Sequence, residues 1–96
     1  MSAFLVVDTQ ITNAEAYEEY KSLAKPIAEK YGGRYRVRGG ALDVLETDLW
    51  TPTRIVIIEF PDAQSARAFA DSEEYAPVKP IRQNNAKCTL FIVEGD

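Results

Sequence analysis

An α+β fold with the element order βαββαβ is predicted by three features of the sequence. Runs rich in β-branched residues occur four times. Two segments with apolar residues at helical spacing separate the first run from the second and the third from the fourth. The strand-like runs also carry apolar residues on both of their faces.

The first run, AFLVVDTQ at residues 3–10, is apolar and β-branched and then turns polar, as a strand leaving a core does. Thr12 and Glu15 follow with capping-box spacing, so that the hydroxyl and the carboxylate would each satisfy a free helix amide. Tyr17, Tyr20, Ala24, Ile27, Ala28 and Tyr31 then share one helical face. Pro26 removes a donor and crowds Ser22, which predicts a kink. Gly32 is placed to end the helix in the left-handed conformation.

The segment KYGGRYRVRGG concentrates four glycines and three arginines in an otherwise acidic chain. Strict alternation over residues 33–38 predicts a second strand, with Arg34, Arg36 and Arg38 on one face and Tyr35 and Val37 on the other. Because ALDVLE resumes strand-like chemistry, Gly39 and Gly40 are read as a bulge or bend inside a long strand, with the turn at residues 47–52. TRIVIIEF, residues 53–60, is the third and most apolar strand. Asp62 caps a second helix whose stripe is Ala63, Ala66, Phe69 and Ala70. Residues 71–86 hold Pro77 and Pro80 and read as a helical turn or irregular segment. Residues 87–95 form the last strand. The whole order corresponds to a ferredoxin-like, four-stranded antiparallel sheet with two helices on one face, in a single domain spanning residues 1–96.

Composition narrows the functional classes. The chain has 96 residues and a net charge of −4. That balance argues against nucleic acid, whose phosphates require a surplus of Lys and Arg contacts. The absence of histidine removes imidazole catalysis, His-ligated haem and the common zinc sites within this chain, so proton transfer falls to carboxylates, tyrosines or lysines. No set of carboxylates has the spacing of a metal site, and no cofactor is indicated. The glycine-rich segment leads out of a strand and not into a helix N-terminus, so it is not a phosphate loop. One cysteine, Cys88, reads as a small apolar packing residue. The apolar run at residues 3–7 is too short for a membrane span and lacks the basic flank of a signal peptide, which leaves a cytoplasmic location as the expectation.

An antiparallel sheet covered on one side alternates apolar with polar residues. Here Phe4 and Val6 oppose Leu5 and Val7, Ile55 and Ile57 oppose Val56 and Ile58, and Leu90 and Ile92 oppose Phe91 and Val93. Two helices can cover only one face. A homodimer packed sheet to sheet through the open face is therefore expected. The alternative is a monomer in which residues 71–86 fold over that face.

YGGRYRVRGG, RIVIIEFPD, DSEEY and IRQNNA followed by VEG resemble, in order and spacing, the domain-of-unknown-function family 1330, over residues 4–95. The resemblance implies a member of the dimeric α+β barrel group, in which a ferredoxin-like protomer pairs its sheet with a twin. That wider group includes cofactor-free monooxygenases, muconolactone isomerase-like enzymes and haem-handling proteins, and fold alone does not choose among them. Characteristic family residues carried over by position are Tyr17, Tyr20, Gly32, Gly33, Arg38, Gly39, Gly40, Glu46, Arg54, Glu59, Phe60, Ser72, Tyr75 and Arg82. The sequence departs from the family at Arg36, where an apolar residue is more usual. Pro77 and Pro80 also depart, in the segment that would carry Tyr75 and Arg82 as a wall.

Arg38 is the leading ligand-binding candidate, because a planar guanidinium holds an oxyanion at two points. Its alternative is an edge arginine paired with Glu46 or Glu59. Glu59 interrupts an apolar strand and is either a general acid or base, or a partner of Arg38 or Arg54. Tyr17 and Tyr20 either line a pocket, with Tyr17 a second candidate for proton transfer, or pack at the core rim. Trp50 is a lid or a dimer anchor. Three functions follow. The first is a small-molecule binder with a cleft between helices and sheet, for an anionic or aromatic compound, drawing on Tyr17, Tyr20, Arg38, Arg54, Glu59, Trp50, Tyr75 and Arg82. The second is a cofactor-independent isomerase, decarboxylase or monooxygenase. The third is an interaction module with no pocket.

Overall fold

A computed structural model describes residues 1–96. The elements are β1 Ala3–Ile11, α1 Ala14–Lys30, β2 Arg34–Arg38, β3 Ile55–Phe60, α2 Ala63–Ala70, α3 Lys79–Asn85 and β4 Ala86–Glu94. The strands form one antiparallel sheet in the order β2-β3-β1-β4. Each helical connection thus skips a strand, the ferredoxin-like arrangement that the sequence predicts.

Local chemistry accounts for the boundaries. Asn13, rather than Thr12, caps α1: its carboxamide oxygen accepts from the Ala16 amide at 3.1 Å. The backbone amide of Thr12 instead donates to the Asn85 carbonyl, which ties the start of α1 to the end of α3. Pro26 lies inside α1, which runs through it. The Ser22 carbonyl deprived of its donor belongs to an exposed stretch, where water can satisfy it. Gly32 takes a φ of +90° after the Tyr31 cap. Asp62 accepts from the Ser65 amide at 2.7 Å and starts α2. Residues 73–78 form turns, and α3 carries Pro80 in its first turn, where a missing amide costs nothing.

The core lies between the sheet and the helices. Leu5, Val7, Val56, Ile58 and Phe60 project from the sheet onto Ala24 and Ala28 of α1 and Ala66 and Phe69 of α2, with Tyr75 and Val78 closing one end. Residues 71–86 therefore pack on the helical side and leave the opposite sheet face uncovered. On that face Phe4, Val6, Ile55 and Ile57 are half-buried by one another, while Phe91 and Val93 are exposed.

Two expectations are corrected along β2 and beyond it. The bulge lies inside the strand, between Tyr35 and Val37, and not at the glycine pair. Arg36 is the extra residue, so Val37 pairs with Ile57 and Arg38 with Val56. Val37 thereby turns to the open face and Arg38 to the helical face, the reverse of simple alternation. The strand also ends at Arg38: the Gly39 amide makes a last bond to the Ile55 carbonyl, and residues 39–54 form an arm without strand pairing. β2 is an edge strand, so ALDVLE has no neighbour with which to form a ladder. Its apolar residues stay in solvent, with Leu45 88% exposed.

Candidate functional site

A cavity of about 320 Å³ opens between the sheet and the helices. Its floor is Leu5, Val7, Val56 and Ile58, and its walls include Tyr17, Tyr20 and Ala24 of α1 and Phe69 of α2, with Tyr75 behind. The lining is mostly apolar, with Arg38 and Arg54 as its main charged members from the sheet side. The volume suits a one-ring compound.

The two arginines are held by different devices. The β2 bulge turns Arg38 to the helical face, where it stays exposed at the edge of the cavity and its guanidinium carbon lies 5.0 Å from the Tyr35 ring centre. Arg54 follows the arm, and its guanidinium sits 5.8 Å from the Tyr17 ring centre. Such cation–π contacts orient a guanidinium while leaving its N–H edges free for an acceptor. Gly39, at φ +75°, makes room for Arg54: a Cβ there would come within 2.7 Å of Arg54 Nε. Asp8 fixes the backbone at this point. Its Oδ1 accepts from the amides of Thr53 (2.9 Å) and Arg54 (3.1 Å), and its Oδ2 from Trp50 Nε1 (2.9 Å). Desolvation raises the Asp8 pKa, but these donors outweigh it and hold the carboxyl below its ordinary range. Neither Arg38 nor Arg54 forms an ion pair; the pairs in the chain are Glu18–Lys21, Lys30–Glu74, Arg36–Glu59 and Arg67–Asp71.

The tyrosines form a column deeper in the cavity. The rings of Tyr17 and Tyr20 are 5.2 Å apart, and those of Tyr20 and Tyr75 6.3 Å apart. The Tyr20 and Tyr75 hydroxyls are hydrogen-bonded at 2.7 Å, and Arg82 Nε donates to the Tyr75 hydroxyl at 3.3 Å. Burial pushes the phenols of Tyr17 and Tyr20 upward and that of Tyr35 to about 12. All three remain protonated at neutral pH and act as neutral donors. Burial lowers the pKa of Arg82, but hydrogen bonding to Tyr75 more than restores it, so the guanidinium stays charged.

Of the residues singled out from sequence, Tyr17, Tyr20, Arg38, Arg54 and Tyr75 are brought together at the cavity. Arg82 stands behind Tyr75. Trp50 is held by Asp8 at a separate, more polar groove that also includes Lys87 and Thr89. Glu59 is not brought to the cavity. It alternates with Val56, Ile58 and Phe60, so it lies on the open sheet face, where its carboxylate accepts from Ser2 Oγ at 2.7 Å and from Arg36 Nε at 2.8 Å. Those two hydrogen bonds hold its pKa below the usual carboxylate range. Asp8 and Tyr35 were not among the sequence candidates. A lone carboxylate closing an apolar strand is the signal that points to Asp8. Tyr35 sits opposite the arginines in the alternating pattern, which already turns it toward the core. No cluster of three or more His, Cys, Asp or Glu side chains is placed to hold a metal.

The arrangement defines a class, a ferredoxin-like α+β protomer with an apolar cavity under its helices. The chain belongs to the family described as Domain of unknown function (DUF1330), which matches residues 2–96. It has no match among curated protein sequences. Among solved structures it is similar to a protein of unknown function from Rhodopseudomonas palustris, with a TM-score of 0.77, 18% identity, and coverage of 99% of this chain and 82% of that one. It is also similar to SnoaB, a cofactor-independent oxygenase from Streptomyces nogalater, with a TM-score of 0.71, 12% identity, and coverage of 99% and 93%. A dimeric ferredoxin-like protein of unknown function from Jannaschia sp. gives a TM-score of 0.70 at 12% identity, with coverage of 99% and 100%. At these identities the likeness is one of fold.

Proposed function

We propose that this protein is a one-domain homodimer that binds a small aromatic or apolar anion in the cavity between its helices and sheet. The observation that carries the reading is the pair Arg38 and Arg54: two guanidinia at a mostly apolar cavity, each laid on a tyrosine ring and neither in an ion pair. An apolar body would fill the space between the helices, and a carboxylate would take the free guanidinium edges. Dimerisation rests on the uncovered sheet face, where Phe91 and Val93 are 44% and 46% exposed beside Phe4, Val6, Ile55 and Ile57. The Jannaschia protein of the same fold is itself dimeric. A free Cys88 thiol fits a reducing, cytoplasmic setting.

A thermal-shift screen with aromatic and keto acids tests the ligand. A rise in Tm with at least one acid is expected, largely abolished in Arg38→Ala. No rise with any acid, or equal rises in the variant, sinks the reading. Light scattering tests the assembly, with twice 10.7 kDa expected.

A second reading, a cofactor-independent enzyme, gains support from the fold shared with the oxygenase SnoaB. Glu59 stands outside the cavity in this chain, so the proton-handling group within it would be a tyrosine, with Tyr17 and Tyr20 at hand. Turnover of a bound acid, lost in the Tyr17→Phe or Tyr20→Phe variant while binding persists, would favour that reading.

A further inference from the structure

Arg82 is 8% exposed and has no carboxylate partner. A buried cation without a counter-ion is costly and survives only where neutral dipoles turn their negative ends to it. The dipole in place is the Tyr75 hydroxyl, which accepts from Arg82 Nε. Tyr75 is itself 3% exposed, and its one proton must find an acceptor. The partner within reach is the Tyr20 oxygen at 2.7 Å. Because Arg82 gives to the Tyr75 oxygen, the favoured order has Tyr75 in turn giving to Tyr20. Lys79, 5.9 Å from the Tyr75 ring centre, adds positive charge at the same end and favours the same order. Tyr20 accepts through its oxygen and keeps its own proton for the cavity that its ring lines.

Resting on the anion-pocket reading above, we infer that the Arg82–Tyr75–Tyr20 chain makes Tyr20 a directional hydrogen-bond donor into the cavity, so that the pocket selects anions whose apolar body carries a carbonyl or similar acceptor oxygen. The ligand class is an aromatic oxo-acid. Its carboxylate lies at Arg38 and Arg54, and its oxo group lies at Tyr20, which is one tyrosine ring further along the column from Arg54. An acid of the same shape with a methylene in place of the carbonyl leaves the Tyr20 hydroxyl without an acceptor, and a buried donor left unmade is penalised. Tyr75 and Arg82 are positioning residues; Tyr20 is the contact.

Calorimetric titration with benzoylpropionate and phenylbutyrate tests this, since the two differ only by that carbonyl. The wild-type protein should bind benzoylpropionate about tenfold more tightly. Tyr20→Phe should bring the ratio to about one, because the donor to the carbonyl is removed. Tyr75→Phe keeps its ring but leaves the Tyr20 hydroxyl free to turn, so the ratio should fall to roughly threefold. A merely structural role for either hydroxyl would weaken both ligands together and leave the ratio alone. Equal binding of the two acids by the wild type, with both weakened in Arg38→Ala, leaves the anion pocket standing and removes the directional donor. An undiminished ratio in Tyr20→Phe also overturns it. If Tyr20→Phe does not fold, the wild-type ratio and the Tyr75→Phe ratio decide. If neither acid binds, the pocket and the donor fall together.

Discussion

The two faces of the sheet are close to equal in apolar content and opposite in fate. On the helical face Leu5, Val7, Val56 and Ile58 are buried beneath α1 and α2. On the other face Phe4, Val6, Ile55 and Ile57 shelter only one another, and Phe91 and Val93 are left in solvent. Their arginines divide in the same way. Arg36 is on the open face, neutralised by Glu59, and Arg38, two positions on, is at the cavity without a carboxylate. One face is built to hold the monomer together and keep a charge available. The other carries the Arg36–Glu59 pair and leaves its apolar side chains unspent, which is the make-up expected of the dimer surface proposed above.

The sharpest way to break this comparison is to place a charge on each face in turn. Ile58→Asp puts an unpaired carboxylate in the core and should cost roughly 4 kcal/mol or more, enough to unfold a domain of marginal stability. Ile57→Asp, one residue away on the open face, should leave circular dichroism native and halve the mass seen by light scattering. Equal unfolding by both would mean that the open face is part of the protomer's own core.

A smaller effect is expected at Gly39. Gly39→Ala forces a non-glycine residue to φ +75° and drives a Cβ against Arg54. The backbone cost is about 1–2 kcal/mol by urea denaturation. Arg54 must also shift, so the thermal response to aromatic acids should shrink, although Gly39 touches no ligand. An unchanged response would remove Arg54 from the site.

High pH separates the faces more gently. Tyr17, Tyr20 and Tyr35, whose phenols burial makes titrate late, line the cavity, whereas Tyr31 is raised chiefly by its hydrogen bond to Glu74 and lies outside it. Tyr35 holds its proton to about 12 in the folded chain, against 10.0 for a free tyrosine. Between those values the unfolded chain loses protons that the native chain keeps, so stability falls as pH rises through that window and is fully present below it. Tm measured across the window should decline, and Tyr35→Phe should flatten part of the decline. The smallest effect belongs to Arg36→Ala. That residue's ion pair is solvent-screened, so little stability should be lost, with the response to ligand unaltered.

Much of this was legible from residues alone, and the exceptions share a cause. Asp62 as a cap, Gly32 as a helix end and the alternation that separates Glu59 from Val56 all depend on neighbours within a few positions, where local chemistry governs. The cap of α1 went to Asn13 rather than Thr12, at a point where the amides of both residues are committed to the Asn85 carbonyl, 73 and 72 positions away. Residues 41–46 have strand-like composition but no strand beside them, and composition cannot supply a partner. Arg38 is the telling case. Alternation put it with Arg34 and Arg36, and a single bulge moved it to the cavity.

The sequence by itself determined the four strands and the two longer helices in their order, the Asp62 cap of α2, and the presence of two apolar sheet faces, because periodicity and capping are properties of short stretches of chain. Tertiary structure alone decided which face the helices cover, where the bulge falls, and that Tyr20, Tyr75 and Arg82 meet in one hydrogen-bonded chain. Those outcomes depend on pairing register and on packing between residues far apart in sequence, where one inserted position reverses every side chain that follows.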